Sequence, residues 1–221
     1  MIDIEILKDD FQNIMVVVPK TMGLAFIVLI GGILIGTLIA LIKIDRIKVA
    51  EKLSRIYLSY VRGIPLIVHL YIVYYALPKT VPTTLVMIIT YALYSAASQS
   101  ENIRAAINAV GREQYEAACS IGLSKVQTWR RIIFPQSFAL LIPVFFNVYL
   151  GIIKGLSLAF TISVVDILAK AKLCSAENSG YIESYLAAAL IYWGLCVTLT
   201  FIFNNLEKVL YEKQGRNLQS V

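Results

Sequence analysis

The sequence has 221 residues, of which 58% are apolar and only 15% charged, with a mean hydropathy of +0.74. Soluble domains run at about 45–50% apolar and about 25% charged, so one compact core of this size cannot bury the excess, and a bilayer must take it. The same numbers exclude a disordered chain, a collagen-like repeat and a secreted disulfide scaffold. Cys119, Cys174 and Cys196 show no CxxC spacing, and the single histidine, His69, cannot build a His-rich metal site.

Uncharged stretches long enough to cross a membrane follow in order. Residues 21–42, 81–100, 132–153 and 184–206 are 22, 20, 22 and 23 residues long, each flanked by charge. A helix needs roughly 20 such residues to cross about 30 Å of hydrocarbon. Residues 63–78 form a shorter fifth candidate, extended backwards through 56–61 if Arg62 is tolerated. The expectation is an all-α membrane protein with five transmembrane helices. The first span is expected to be a mature helix: its apolar stretch exceeds a signal core of about 7–15 residues, and its N-terminal flank is acidic. Gly32 and Gly36 within it have the GxxxG spacing that permits close helix contact.

Basic residues fix the expected orientation. With the N-terminus outside and the C-terminus cytoplasmic, the inner segments 43–62, 101–131 and 207–221 hold 14 of the 20 Lys and Arg, while the acidic residues divide seven and seven. The basic excess is therefore topological, and nucleic acid is not expected as a partner.

The largest polar inner segment is 101–135, ENIRAAINAVGREQYEAACSIGLSKVQTWRRIIFP. Its alanines favour a helix up to Cys119. Gly122 allows a turn or C-cap, Ser124 can cap a second helix that runs into a span, and Pro135 marks another break. Ala117, Ala118 and Gly122 make a low surface into which another protein fits closely.

These residues carry a resemblance. Glu116-Ala117-Ala118, Gly122 after three residues, Ile132 after nine more and Pro135 after two resemble the EAA loop of ABC importer permeases. The stretches 62–66 (RGIPL) and 74–78 (YYALP) are similar to those of polar amino-acid permeases, as are Glu101, Arg104, Pro135-Gln136 and 143–147. The resemblance covers roughly 20–210. It implies a single permease domain over 1–221 with the type I ABC importer fold, a coupling loop at about 105–135, and a place in a bacterial inner membrane. It further implies a second permease subunit (itself or a homologue), an ABC ATPase dimer, an extracytoplasmic solute-binding protein, surrounding lipid and an amino-acid substrate. No GxxxxGK[ST] occurs, and Gly151–Gly155 has neither its spacing nor its ending. The chain itself is expected to be no enzyme and to hold no cofactor, ATP and magnesium being bound by the partner ATPase.

Polar groups at membrane depth are costly and are pathway candidates. His69, Asn147, Lys154 and Ser157 qualify, each with a plainer role open beside it. His69 can be a neutral ring on a backbone carbonyl, Asn147 a helix-to-helix bond, and Lys154 a snorkelling cation. The tyrosines 71, 74, 75, 91 and 94 fit an interfacial belt or packing. Relatives often read Lys-Asp-Thr-Ser-Leu where this chain reads Lys154-Gly155-Leu156-Ser157-Leu158. Loss of that acidic residue argues against cationic amino acids, and 157–173 with 188–193 look closest to the cystine branch. A membrane enzyme is disfavoured because no catalytic set accompanies His69. A stand-alone ion-coupled carrier is disfavoured because five spans with a docking loop need a partner to close a pathway.

Overall fold

The computed structural model describes residues 2–44 and 48–219, with side chains for 2–44 and 49–208. Arg46, and the side chains of Lys48, Lys213 and Arg216, all counted in the charge asymmetry, lie outside the described residues. Those described form α1 (Ile4–Met15), α2 (Val18–Ile44), α3 (Lys48–Gly63), α4 (Leu66–Ala76), α5 (Thr83–Ala109), α6 (Arg112–Ser120), α7 (Lys125–Thr128), α8 (Phe134–Gly155), α9 (Ile167–Asn178) and α10 (Tyr181–Gln219), with no strand among them. Contacts divide the chain into two units, Leu24–Ile152 and Met1–Gly23 with Ile153–Val221.

In the first unit, α2 meets α5 along the glycine face. A Cβ on Gly36 would stand 2.8 Å from Gln99 Cβ and 3.0 Å from the Ser100 backbone nitrogen; one on Gly32 would stand 2.9 Å from Ser95 Oγ. Glycine spacing alone names no partner helix; the partner here is α5, which presents Ala92, Ser95, Ala96, Gln99 and Ser100 to the groove. Small residues on both sides let the backbones approach, which is how helices gain packing energy without a hydrophobic drive. The seam closes on a charge cluster. Lys43, near the end of α2, pairs with Glu101 of α5, and Arg104 bonds the other oxygen of that carboxylate at 2.8 Å.

The second unit is built around α1, α9 and α10. Ile14, Val18, Ile167, Ala171, Cys174, Ala187 and Ile191 form its core. Helix α1 has no counterpart among the sequence expectations, although its inward positions 7, 10 and 14 repeat with helical period. Asp3 caps it by accepting from the Glu5 and Ile6 amides at 2.9 and 3.3 Å, and the Asp3 amide donates to Glu183 Oε1 at 3.0 Å. Asp10 is buried yet satisfied, accepting from Asn178 Nδ2 at 2.9 Å and from the Ser184 hydroxyl.

Three helical runs are long and apolar enough to cross a membrane: Val18–Ile44, Lys125–Ile162 and Tyr181–Lys208. They contain the expected spans 21–42, 132–153 and 184–206. Span 81–100 falls, from Thr83 onward, on the first part of α5, which is 27 residues and so about 40 Å long. Buried Thr90, Ser95, Gln99 and Ser100 lower its hydropathy. The short candidate differs from expectation. Helix α3 stops at Gly63 and α4 resumes at Leu66 after a bend of 109°, so 56–61 join the short candidate only as one arm of a bent pair and not as a straight helix. Pro65 is the cause: it has no amide for the helix, and its extended backbone (ψ 144°) starts α4 afresh.

Candidate functional site

The EAA segment is a short helix between two glycine turns. Helix α5 ends at Ala109, and Gly111, at φ +84°, redirects the chain before α6 begins. The helix expected to continue to Cys119 is therefore two helices, because only glycine takes that backbone conformation without steric cost. Gly122, at φ +82°, ends α6. The Leu123 amide donates to Ala118 O at 3.1 Å and the Gly122 amide to Cys119 O at 3.0 Å. This is a Schellman turn, which satisfies the last carbonyls of the helix. Ser124 then starts α7 with a reciprocal cap, its Oγ accepting from the Gln127 amide at 3.3 Å while its own amide donates to Gln127 Oε1 at 2.9 Å. On α6, Ala118 faces inward while Glu116, Ala117 and Gly122 are exposed. Arg112 holds Glu116 by a 2.8 Å ion pair, and Ile121 is 77% exposed at the tip.

Pro135 does not break the chain. Trp129–Ile133 widen into a π turn, with the Phe134 amide donating to Trp129 O, and Pro135 occupies the second position of α8. A wide turn immediately before a proline relieves the contact between its ring and the carbonyl of the preceding turn.

The pathway candidates stand on three different elements. His69 is buried in α4, its Nδ1 3.2 Å from Pro65 O, with Tyr60 and Tyr94 packed edge-on at centroid distances of 5.1 and 5.5 Å. The ring thus sits on a backbone carbonyl, and its Nε2 is buried without a partner. Asn147 and Lys154 are exposed on α8, seven residues and so about two turns apart on one face. The Ser157 hydroxyl donates to Lys154 O at 2.9 Å within the 3-10 turn that follows α8. No group of three or more potential metal ligands occurs among the described residues.

Residues 11–210 match the family of binding-protein-dependent transport system inner membrane components. The chain belongs to this family and is an amino-acid ABC importer permease. It is 36% identical over 215 residues to the Bacillus subtilis (strain 168) protein "Probable amino-acid permease protein YxeN", covering 95% of this chain and 96% of that one. It is 31% identical to the "L-cystine transport system permease protein TcyL" of the same organism, covering 97% and 94%. Among solved structures, an amino acid ABC transporter described with histidines superposes with a TM-score of 0.86 at 26% identity, covering 94% of this chain and 99% of that one. Members of this family are transport subunits of multi-pass membrane assemblies that work with an ATPase and partner subunits.

Within this permease, sequence patterns do not reach two features. Gln99 is fully buried, and neither amide atom has a hydrogen-bond partner; Ser95 Oγ, one turn away, is likewise unpaired. The Glu101 cluster was legible only as matching positions. Partial burial pushes its carboxyl up, but the hydrogen bonds from Lys43 and Arg104 outweigh that and hold it below its ordinary value of 4.5.

Proposed function

We propose that this chain is the pathway-forming subunit of an ATP-driven importer in a bacterial inner membrane. It crosses five times, through α2, the bent α3–α4 pair, α5, α8 and α10, with its N-terminus outside and its C-terminus cytoplasmic. A second permease subunit completes the pathway, an extracytoplasmic binding protein delivers substrate, and an ATPase pair binds ATP and magnesium. The observation that carries this is α6 with its two glycine turns: Glu116, Ala117 and Gly122 are presented outward on a helix whose ends are fixed, as docking to an ATPase groove requires. Ala118 packs inward beneath that loop, and Pro135 stands exposed at the base of α8 where the loop joins the span. ATP binding supplies the differential affinity that shifts the pathway between outward- and inward-open states. A stand-alone ion-coupled carrier would have no use for this presentation.

The substrate we infer is a polar, uncharged or zwitterionic amino acid, with cystine favoured over cationic ones. Lys154 and Asn147 offer donors for carboxylates, Ser157 stands beside them with its hydroxyl on Lys154 O, His69 packs behind the pathway, and Gly155 stands where a carboxylate would attract a cation. Sites built on hydrogen bonding reject analogues that leave their groups unpaired.

One set of uptake assays tests both levels. Gly122→Trp is expected to insert normally yet lose ATPase co-purification and transport; normal values of both sink the coupling role. Gly155→Asp is expected to shift competition from cystine toward arginine. An unchanged ranking of cystine, glutamine and arginine leaves specificity to the binding protein alone.

A further inference from the structure

A cleft of about 640 Å³ opens between the end of α2 and the start of the α7–α8 run, entirely within the first unit. Leu41 and Ile44 form one wall, and Lys125, Val126, Trp129, Arg130 and Phe134 form the other. No acidic residue is among its described lining residues, and neither Lys125 nor Arg130 makes an ion pair among the described residues. The cleft is therefore cationic at one end. The other end is apolar: Leu41 and Phe134 are 42% and 62% exposed, and Phe134 stacks on Phe138 at 5.9 Å. Phe138 lies inside the apolar stretch 132–153 and is itself exposed, so the apolar track continues from the cleft along α8.

The π turn makes this arrangement. It sets Trp129 five residues before Phe134 with one hydrogen bond spanning them, so both side chains fall on the same wall. In a regular α-helix those positions would diverge by about 140°. The Ser124–Gln127 cap fixes Lys125 at the first position of α7, at the polar end. A ligand that satisfies both ends has a compact anionic head and a long apolar tail. A soluble partner could meet the two cations but would not cover a ring stack that runs into the span.

We propose that this cleft binds an anionic phospholipid of the cytoplasmic leaflet, with the phosphate at Lys125 and Arg130, the glycerol region beside Trp129, and an acyl chain along Leu41, Ile44, Phe134 and Phe138. The inference rests on the membrane placement proposed above, which puts 125–131 on the inner side. Each basic side chain at an anionic surface contributes about fivefold to such binding, so the pair contributes about 25- to 30-fold.

The sequence has two tryptophans, Trp129 and Trp193. Replacing one (Trp193→Phe) leaves Trp129 as the only intrinsic reporter in the full chain, reconstituted in phosphatidylcholine vesicles doped with lipids brominated on the acyl chain. Brominated phosphatidylglycerol is expected to quench Trp129 at lower mole fraction than brominated phosphatidylcholine. That preference is expected to fall about 25- to 30-fold in the Lys125→Gln/Arg130→Gln double variant, and inorganic phosphate is expected not to compete. Equal quenching by the two lipids, or a preference that survives the double variant, overturns the lipid site while leaving the membrane placement intact. Competition by inorganic phosphate overturns it in favour of a free-anion site. Absence of quenching by either lipid overturns it together with the placement, and suppression only on adding the partner ATPase would assign the cleft to that subunit.

Discussion

Gly36 and Gly122 are both places where this permease favours glycine over any other residue, but for opposite reasons. At Gly36 the backbone is an ordinary helix and the obstacle is the neighbour: a Cβ would meet Gln99 and the α5 backbone within 2.8–3.1 Å. At Gly122 nothing lies within 4 Å, and the obstacle is the backbone itself, at φ +82°. The first glycine lets two helices approach; the second ends one. A seam of the first kind fails when it is crowded, because helix backbone cannot move aside without opening the packing along its whole length. A turn of the second kind tolerates bulk sterically and resists only the change in conformational preference.

The sharpest way to break this contrast is Gly36→Leu. Overpacking of a tight interface costs about 1–3 kcal/mol and often more where backbone is the neighbour, so recovery of folded protein from membranes is expected to fall severely. Normal yield and thermal stability would show that α2 and α5 do not pack through this face.

A smaller effect is expected at the turn. Gly122→Ala places a side chain in a left-handed conformation at roughly 1–2 kcal/mol, whereas Gly122→Asn is expected to lose less because asparagine visits that region readily. Thermal unfolding of the two variants should rank Gly above Asn above Ala. Equal melting of Asn and Ala would mean that the left-handed backbone conformation does not select glycine there.

The smallest effect sharpens the seam at its charged end. Because Lys43 and Arg104 hold Glu101 below its ordinary value, the cluster contributes stability in full above pH 4.5, and that contribution disappears as pH falls through the lower folded value. Glu101→Gln is expected to lower stability near neutrality and to flatten its decline in acid. An acid-unfolding profile identical to the parent would show that the cluster adds nothing to the seam.

The residues themselves determined much of this protein. Runs of apolar side chains define the three long spans, because a segment must satisfy its own backbone in lipid whatever surrounds it. Gly122 and Ser124 announced a turn and a cap, because those are local bonds within a few residues. Glu116-Ala117-Ala118 at its spacing identified the family for the same reason: the pattern is contiguous. What tertiary structure alone decided is non-local or depends on competing local effects. Gly32 and Gly36 have a partner only once α5 is laid against α2. Buried Asp10 is tolerable only because Asn178 and Ser184, more than 160 residues away, supply donors. Pro65 bends the chain by 109° while Pro135 leaves its helix unbroken. The two prolines remove the same hydrogen bond, and the π turn before Pro135 absorbs a loss that Pro65 answers by starting a new helix.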